Sequence, residues 1–253
     1  MVVETVLPFR PLASMPFWRW LNNLALTAVD YFVILGLAPW ISLLVTALAD
    51  IPYHGLVERL QLGTASSFLV VLLCLELAGY WMHRTVHRIP ILWRVHAVHH
   101  CDTEVDATTA FRHHPLEVLI STVVTLPIVL ILLPDPVVLL AYNILHTAVA
   151  IFHHANIDLG RPIESLLGRI IVTPAFHRQH HFSDRQYTDS NYAAILPLFD
   201  HVFRTANAMP SEQQKAMQMG LTYFRDKHDA RLDSMLHIPF RRDFGEIHNV
   251  KAE

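Results

Sequence analysis

The sequence predicts an all-α membrane protein, with about four transmembrane helices capped by a helical, histidine-rich domain on the cytosolic side. Three observations carry this. Apolar residues make up 53% of the 253 residues and charged residues only 16%, where soluble domains carry about 25%. Four apolar runs approach or reach the roughly 20 residues that cross a bilayer. Eighteen histidines gather in short clusters at the ends of those runs and beyond them.

The opening stretch, MVVETVLPFRPLASMPFWRW, lacks the basic start and apolar block of a secretory signal. Phe17, Trp18 and Trp20, with Arg10 and Arg19, read as an interfacial lead-in to a span. The spans themselves fall at about 24–49, 65–82, 118–133 and 136–153. The last two are short and are joined by LPDPV, which predicts a tight helical hairpin. Lys and Arg near the span ends set the orientation. The 50–64 loop holds only Arg59 and the third-to-fourth turn holds none. The 83–117 segment holds Arg84, Arg88, Arg94 and Arg112, and the tail after 154 holds many more. Both termini and the histidine clusters are therefore expected on the cytoplasmic face. The segments 83–117 and 154–253 form the metal-binding cap, and 1–253 reads as a single domain. In the tail, Ser211 with Gln214 three residues on resembles a helix N-cap. Cys74, in an apolar run, is a packing residue, and with Cys101 it makes no disulfide framework. A net charge of −3 without a basic stripe speaks against a nucleic-acid partner.

The histidine spacings carry the chemistry. HRTVH places His83 and His87 one helical turn apart. HAVHH places His96, His99 and His100 at i, i+3 and i+4, and HRQHH repeats this with His177, His180 and His181. Residues so spaced share a helix face with Cβ atoms about 5–6 Å apart, so each triplet aims at least two imidazoles at one point. Eight histidines are too many for one ion and suit two. His153 and His154 add to them where the fourth span meets the cytoplasm. His146 lies seven and eight residues earlier, on nearly the same face, and is either a site residue or a helix-to-helix hydrogen bond. Glu76 sits two turns before His83 inside the second span. A buried carboxylate needs a partner, and a ligand histidine commonly donates its other N–H to one. Glu76 is thus expected to orient His83, with a salt bridge between spans as the alternative. Asp30, in the first span, has no assignable partner.

The stretches ELAGYWMHRTVH, LWRVHAVHH, FRHHPLE, FHHANI, TPAFHRQHH and NYAAILPLFDHVFRT, in order over about 76–205, resemble the fatty acid hydroxylase/sterol desaturase superfamily of integral-membrane enzymes. The resemblance implies a non-haem di-iron centre and O2-dependent hydroxylation or desaturation of a lipid, sterol or carotenoid-like apolar substrate. It implies metal ligands at His83, His87, His96, His99, His100, His154, His177, His180 and His181, with His153 as an alternative or addition to His154. His114 matches a recurrent family position. Asn191 and Tyr192 match a family element that is structural. The first box is HxxxH, whereas some fatty-acid-hydroxylating members have one more intervening residue, so the substrate stays open.

Inserting oxygen into an unactivated C–H bond requires redox metal chemistry. Imidazole suits iron, and zinc and copper as well, so zinc is an alternative occupant in purified protein. No Gly-rich dinucleotide fingerprint is present, and electrons are expected from an external donor of the cytochrome b5, ferredoxin or reductase type. Membrane lipids are the expected surroundings. Two other classes compete. A membrane metal transporter or sensor needs polar residues along the spans, where Asp30, Glu76 and His146 supply few. A zinc-dependent membrane hydrolase needs a general base beside the metal, and no HExxH pair occurs.

Overall fold

A computed structural model describes residues 2–11, 16–49, 54–242 and 244. Both chain ends, whose cytoplasmic placement the charge pattern predicts, lie outside these residues, as does the start of the 50–64 loop. The described residues are helical, with one isolated antiparallel bridge between Phe182 and Met219.

The first helices are α1 (Val2–Val6), α2 (Pro16–Ala49), α3 (Leu56–Arg59) and α4 (Thr64–Arg88). Then follow α5 (Pro90–His100), a 3-10 turn at Ala107–Phe111, α6 (Pro115–Leu132), α7 (Pro136–His154), α8 (Arg161–Leu167) and α9 (Pro174–His180). Short helical turns complete the chain to Phe240. Among the described residues, four helices are long and apolar enough to cross a membrane: Phe17–Ala47 of α2, then α4, α6 and α7. They match the expected spans, with two differences. Helix α2 begins well before residue 24, and α4 continues to Arg88, so that His83 and His87 ride on the end of a span. Helix α2 keeps Tyr31, Phe32, Leu35, Trp40 and Leu43 exposed, the surface expected to face lipid.

Proline sets the helix boundaries. A residue before proline is pushed out of the α region, and Ile89 has φ −93° and ψ 116°. Helix α4 stops there and α5 starts afresh with Pro90 in its first turn, so the chain folds back on α4. The expected hairpin is built the same way. Leu133 ends α6 in the left-handed region at φ 42°, and the Asp135 carboxylate accepts from Val137 N at 2.8 Å, capping α7 ahead of Pro136. Gly55 meets this turn so closely that a Cβ there would lie 2.6 Å from Leu132 O. By contrast, Ser211 is not a cap: Pro210 occupies that position, and Ser211 is the first helical residue. Gln214 is buried, donating to Ala175 O and Met209 O.

Two larger cores hold the helices, beside a small cluster of Val105, Phe182 and Met219. One joins α4, α6 and α7 through Val71, Leu75, Leu132, Val138, Tyr142 and Val149, with Cys74 packed against it. The other joins α2 and α5 to the C-terminal segment through Leu26, Ala97, Val98, Leu221, Met235 and Ile238. Arg19 departs from the lead-in expectation. It is buried, not directed at headgroups, and pairs with Asp102 Oδ2 at 2.7 Å and with Asp106. Trp20 Nε1 donates to the same Asp106 oxygen. Arg10 donates to Met217 O. Phe17 and Trp18 alone stay exposed as predicted. Arg112 is 1% exposed and donates to Val98 O and Asn23 Oδ1. These contacts tie α2 to the loop after α5.

Candidate metal centre

Nine histidines form two groups. The first holds His83 and His87 from α4, His96 and His100 from α5, and His180 from α9. The second holds His99 from α5, His154 from the end of α7, His177 from α9 and His181 just beyond it. In each group, one ring nitrogen per residue lies within 4.8 Å of all the others. Each HxxHH box is divided. The i, i+4 pair His96 and His100 serves the first group while His99 serves the second. His177 and His181 serve the second while His180 serves the first. The two boxes are thus used in opposite senses.

The protonation pattern follows from the partners. Carbonyl oxygens accept only, so an Nδ1 that faces one carries the proton and leaves Nε2 with a lone pair. His83 Nδ1 donates to Tyr192 O at 2.7 Å, His180 Nδ1 to Ser190 O at 2.7 Å, and His154 Nδ1 to Ala150 O at 2.8 Å. Their Nε2 atoms point inward. His83 Nε2 lies 3.1 Å from His96 Nε2 and 2.9 Å from His180 Nε2. His154 Nε2 lies 3.3 Å from His99 Nε2 and 3.0 Å from His177 Nε2. Converging lone pairs repel one another unless a cation sits among them. Separations of this size are those of neighbouring ligands about 2.0–2.1 Å from one ion. Both ring nitrogens of the buried His100 lack a hydrogen-bond partner among the described residues, which leaves a lone pair free to bind a cation. Burial first, and then the neighbouring imidazoles, hold His99, His100, His177, His180 and His181 well below the ordinary histidine value. They are neutral at pH 7 and ready to bind metal.

The Tyr192 and Ser190 carbonyls are themselves fixed. Asp200 accepts from the N–H groups of Tyr192 and Ala193. Asn191, at φ 55°, donates to Phe176 O and Asn207 O. Asn191 thus ties this turn to neighbouring backbone, and the Tyr192 carbonyl touches a ligand candidate directly.

Four expected site residues fall elsewhere. Glu76 does not reach His83. Seven residues of helix rise about 10.5 Å, farther than the side chain extends. Its carboxylate accepts instead from Ile195 N at 2.7 Å, Leu196 N at 3.1 Å and the Tyr142 hydroxyl at 3.4 Å. His114 caps α6, accepting from Leu116 N with Nδ1 and facing Leu236 O with Nε2. His153 donates to Ala194 O, and its ring lies 4.0 Å from that of His177 without joining either group. His146 is half-buried beside Tyr142 and belongs to neither group.

Two carboxylates that the sequence reading did not select do face the first group. Glu117 Oε1 accepts from His96 Nδ1 at 2.8 Å and lies 3.2 Å from His113 Nδ1. Asp189 Oδ1 lies 3.5 Å from His87 Nδ1. Burial lowers the pKa of His113, but Glu117, and then Asp30, outweigh it and hold the value above the ordinary one. Glu117 is the one acidic residue in the third span, and the rule that a buried carboxylate needs a partner applies to it as much as to Glu76.

A model of the family described as fatty acid hydroxylase matches residues 68–205, more than half of the chain and all nine histidines. The chain belongs to the fatty acid hydroxylase family. Among curated relatives, alkylglycerol monooxygenase of Homo sapiens is 33% identical over 147 residues, 57% of this chain and 30% of that protein. Ornithine lipid hydroxylase of Rhizobium tropici is 26% identical over 171 residues, 67% of this chain and 50% of that protein. A very-long-chain aldehyde decarbonylase of Oryza sativa subsp. indica is 30% identical over 191 residues, 70% of this chain and 30% of that protein. The match to this fatty acid hydroxylase family member thus spans half or less of each relative's length. No solved structure matches the chain.

Proposed function

We propose that this protein is a membrane-bound, O2-dependent oxidoreductase that hydroxylates an apolar lipid at a di-iron centre. The observation that carries the proposal is the pairing of a five-histidine and a four-histidine group of inward-facing nitrogens. The named activities of the alkylglycerol monooxygenase and ornithine lipid hydroxylase relatives favour oxygen insertion over desaturation. They also favour this reading over a metal transporter or a zinc hydrolase.

His83, His87, His96, His100 and His180 would hold one ion, and His99, His154, His177 and His181 the other. Iron held there would supply redox chemistry with dioxygen, which side chains cannot perform. In the overall reaction R–H, O2, two electrons and two protons give R–OH and water. The electrons come from an external donor. The residues of this chain do the rest. Neutral imidazoles present lone pairs at physiological pH. The carbonyls of Tyr192, Ser190 and Ala150 hold ring orientation. Arg112, Asn23 and the ion pairs of Arg19 hold the 101–112 loop beneath α2, so that His99 keeps its place. His113, whose side chain is 36% exposed, stacks on His99 with centroids 4.6 Å apart and packs against the second group. The arginine distribution supports a centre on the cytoplasmic face.

Comparing lipids from membranes that carry the protein with those that carry His99→Ala or His180→Ala tests the proposal. A lipid should be consumed and a product one oxygen atom heavier should appear only with the unaltered chain. Identical lipid profiles for all three would reject it.

A further inference from the structure

The two histidine groups differ in what stands behind them. In the four-histidine group, His99 Nδ1 faces Arg112 O at 3.3 Å and His154 Nδ1 faces Ala150 O. The buried Nδ1 atoms of His177 and His181 have no partner. Only neutral groups back this set. In the five-histidine group, His83 and His180 are also backed by carbonyls, but His96 Nδ1 meets Glu117 Oε1 at 2.8 Å; His87 Nδ1 makes no hydrogen bond and lies 3.5 Å from Asp189 Oδ1. Glu117 is 6% exposed and lies in the first turn of the 18-residue helix α6. The helix dipole at that end favours a negative charge. Its Oε1 takes His96 from one side and His113 from the other, while the buried Oε2 has no partner.

We infer that Glu117 is a positioning residue for His96 that makes the two metal positions chemically unequal, with the five-histidine position the stronger binder. A carboxylate behind a ligand imidazole fixes the ring and raises the basicity of the coordinating nitrogen. Here it acts on a group that already offers one more ligand than its neighbour. The five-histidine position therefore fills first. The four-histidine position, with fewer ligands and neutral backing, is the one left open for exchange with small molecules. This inference rests on the reading of the histidine groups as a two-metal centre, and the test separates the two.

Metal-free full-length protein in detergent is titrated anaerobically with ferrous iron against a competing chelator, and occupancy is read by elemental analysis. The unaltered chain should bind two ions with unequal affinities. Glu117→Gln preserves shape and removes the charge. It should weaken the tighter affinity about 10–100-fold and leave the weaker one unchanged. Glu117→Asp, which keeps a carboxylate on a shorter arm, should recover part of the loss. Combining substitutions assigns the effect to a position. Glu117→Gln should weaken the tightly held ion in a His99→Ala background as much as it does with all nine histidines present. Iron-57 Mössbauer spectra of the loaded protein should show two distinct iron environments, of which only one shifts in Glu117→Gln. Unchanged affinities and spectra in Glu117→Gln, or an effect confined to the weaker ion, would overturn the inference while leaving the centre intact. Failure of the unaltered chain to bind two ions would overturn the centre itself. Should Glu117→Gln not fold, two equal affinities or a single iron environment in the unaltered chain would still refute the inequality.

Discussion

The rings of His100 and His181 lie nearly parallel, 23° apart with centroids separated by 4.7 Å, although the two residues belong to different ligand groups. This contact makes the groups neighbours, and it follows from the opposite use of the two HxxHH boxes. It predicts two ions per chain. Elemental analysis should find about two in the unaltered protein, as the donor set implies, and less in His99→Ala or His180→Ala. Full occupancy in both variants would remove these residues from the site.

Glu76 is predicted to act on the fold and not on the metal. Its carboxylate receives the N–H groups of Ile195 and Leu196, and a buried donor left without a partner costs about 1–3 kcal/mol. Glu76→Leu should lower thermal stability in detergent by a few kcal/mol. Metal content and activity per bound ion should stay normal in the folded fraction. Loss of activity per ion with unchanged stability would reverse this assignment.

Arg19 is predicted to be a point of failure for the cap. Among the described residues it is the one cation in salt-bridge contact with both Asp102 and Asp106, each buried. Removing one member of a buried charge set leaves the others uncompensated, at a cost of about 3–5 kcal/mol. Arg19→Leu should lower the melting temperature sharply, and His99, on the helix before that loop, should lose metal with it. A variant as stable as the parent would show that the network carries no net stability.

The histidines also set a pH dependence. His99, His100, His177, His180 and His181 are held below their unfolded value of 6.5. Above about pH 6.5 they are neutral in both states and contribute nothing to the difference. Below it the unfolded chain takes up protons that the folded, metal-free protein does not, so stability falls with pH. Through these five, thermal melts of metal-free protein should decline steadily below about pH 6. A melting temperature that rises on acidification would contradict the neutral assignment.

Much of this was legible in the sequence. Apolar runs marked all four candidate spans, because crossing length and composition are properties of a segment by itself. The nine ligand candidates were legible through spacing and resemblance. The division of each box between two groups was not, because it depends on how α4, α5, α7 and α9 pack. Glu76 misled for a related reason. Helical phase told which face it shares with His83, but not that the 193–196 loop lies across from it. Glu117 went unselected because it opens a span and reads as an ordinary first-turn acid. What distinguishes it is His96, 21 residues away in sequence and 2.8 Å away in space.

The measurement that bears most directly on the central claim uses isotope-labelled dioxygen. Membranes containing the protein, supplied with a reducing system, are incubated under ordinary and under heavy-isotope O2, beside membranes carrying His99→Ala. The expected result is a lipid product that carries one labelled oxygen atom under heavy O2 and is missing from the variant. A product whose new oxygen comes from water, or one that forms equally with His99→Ala, would contradict it.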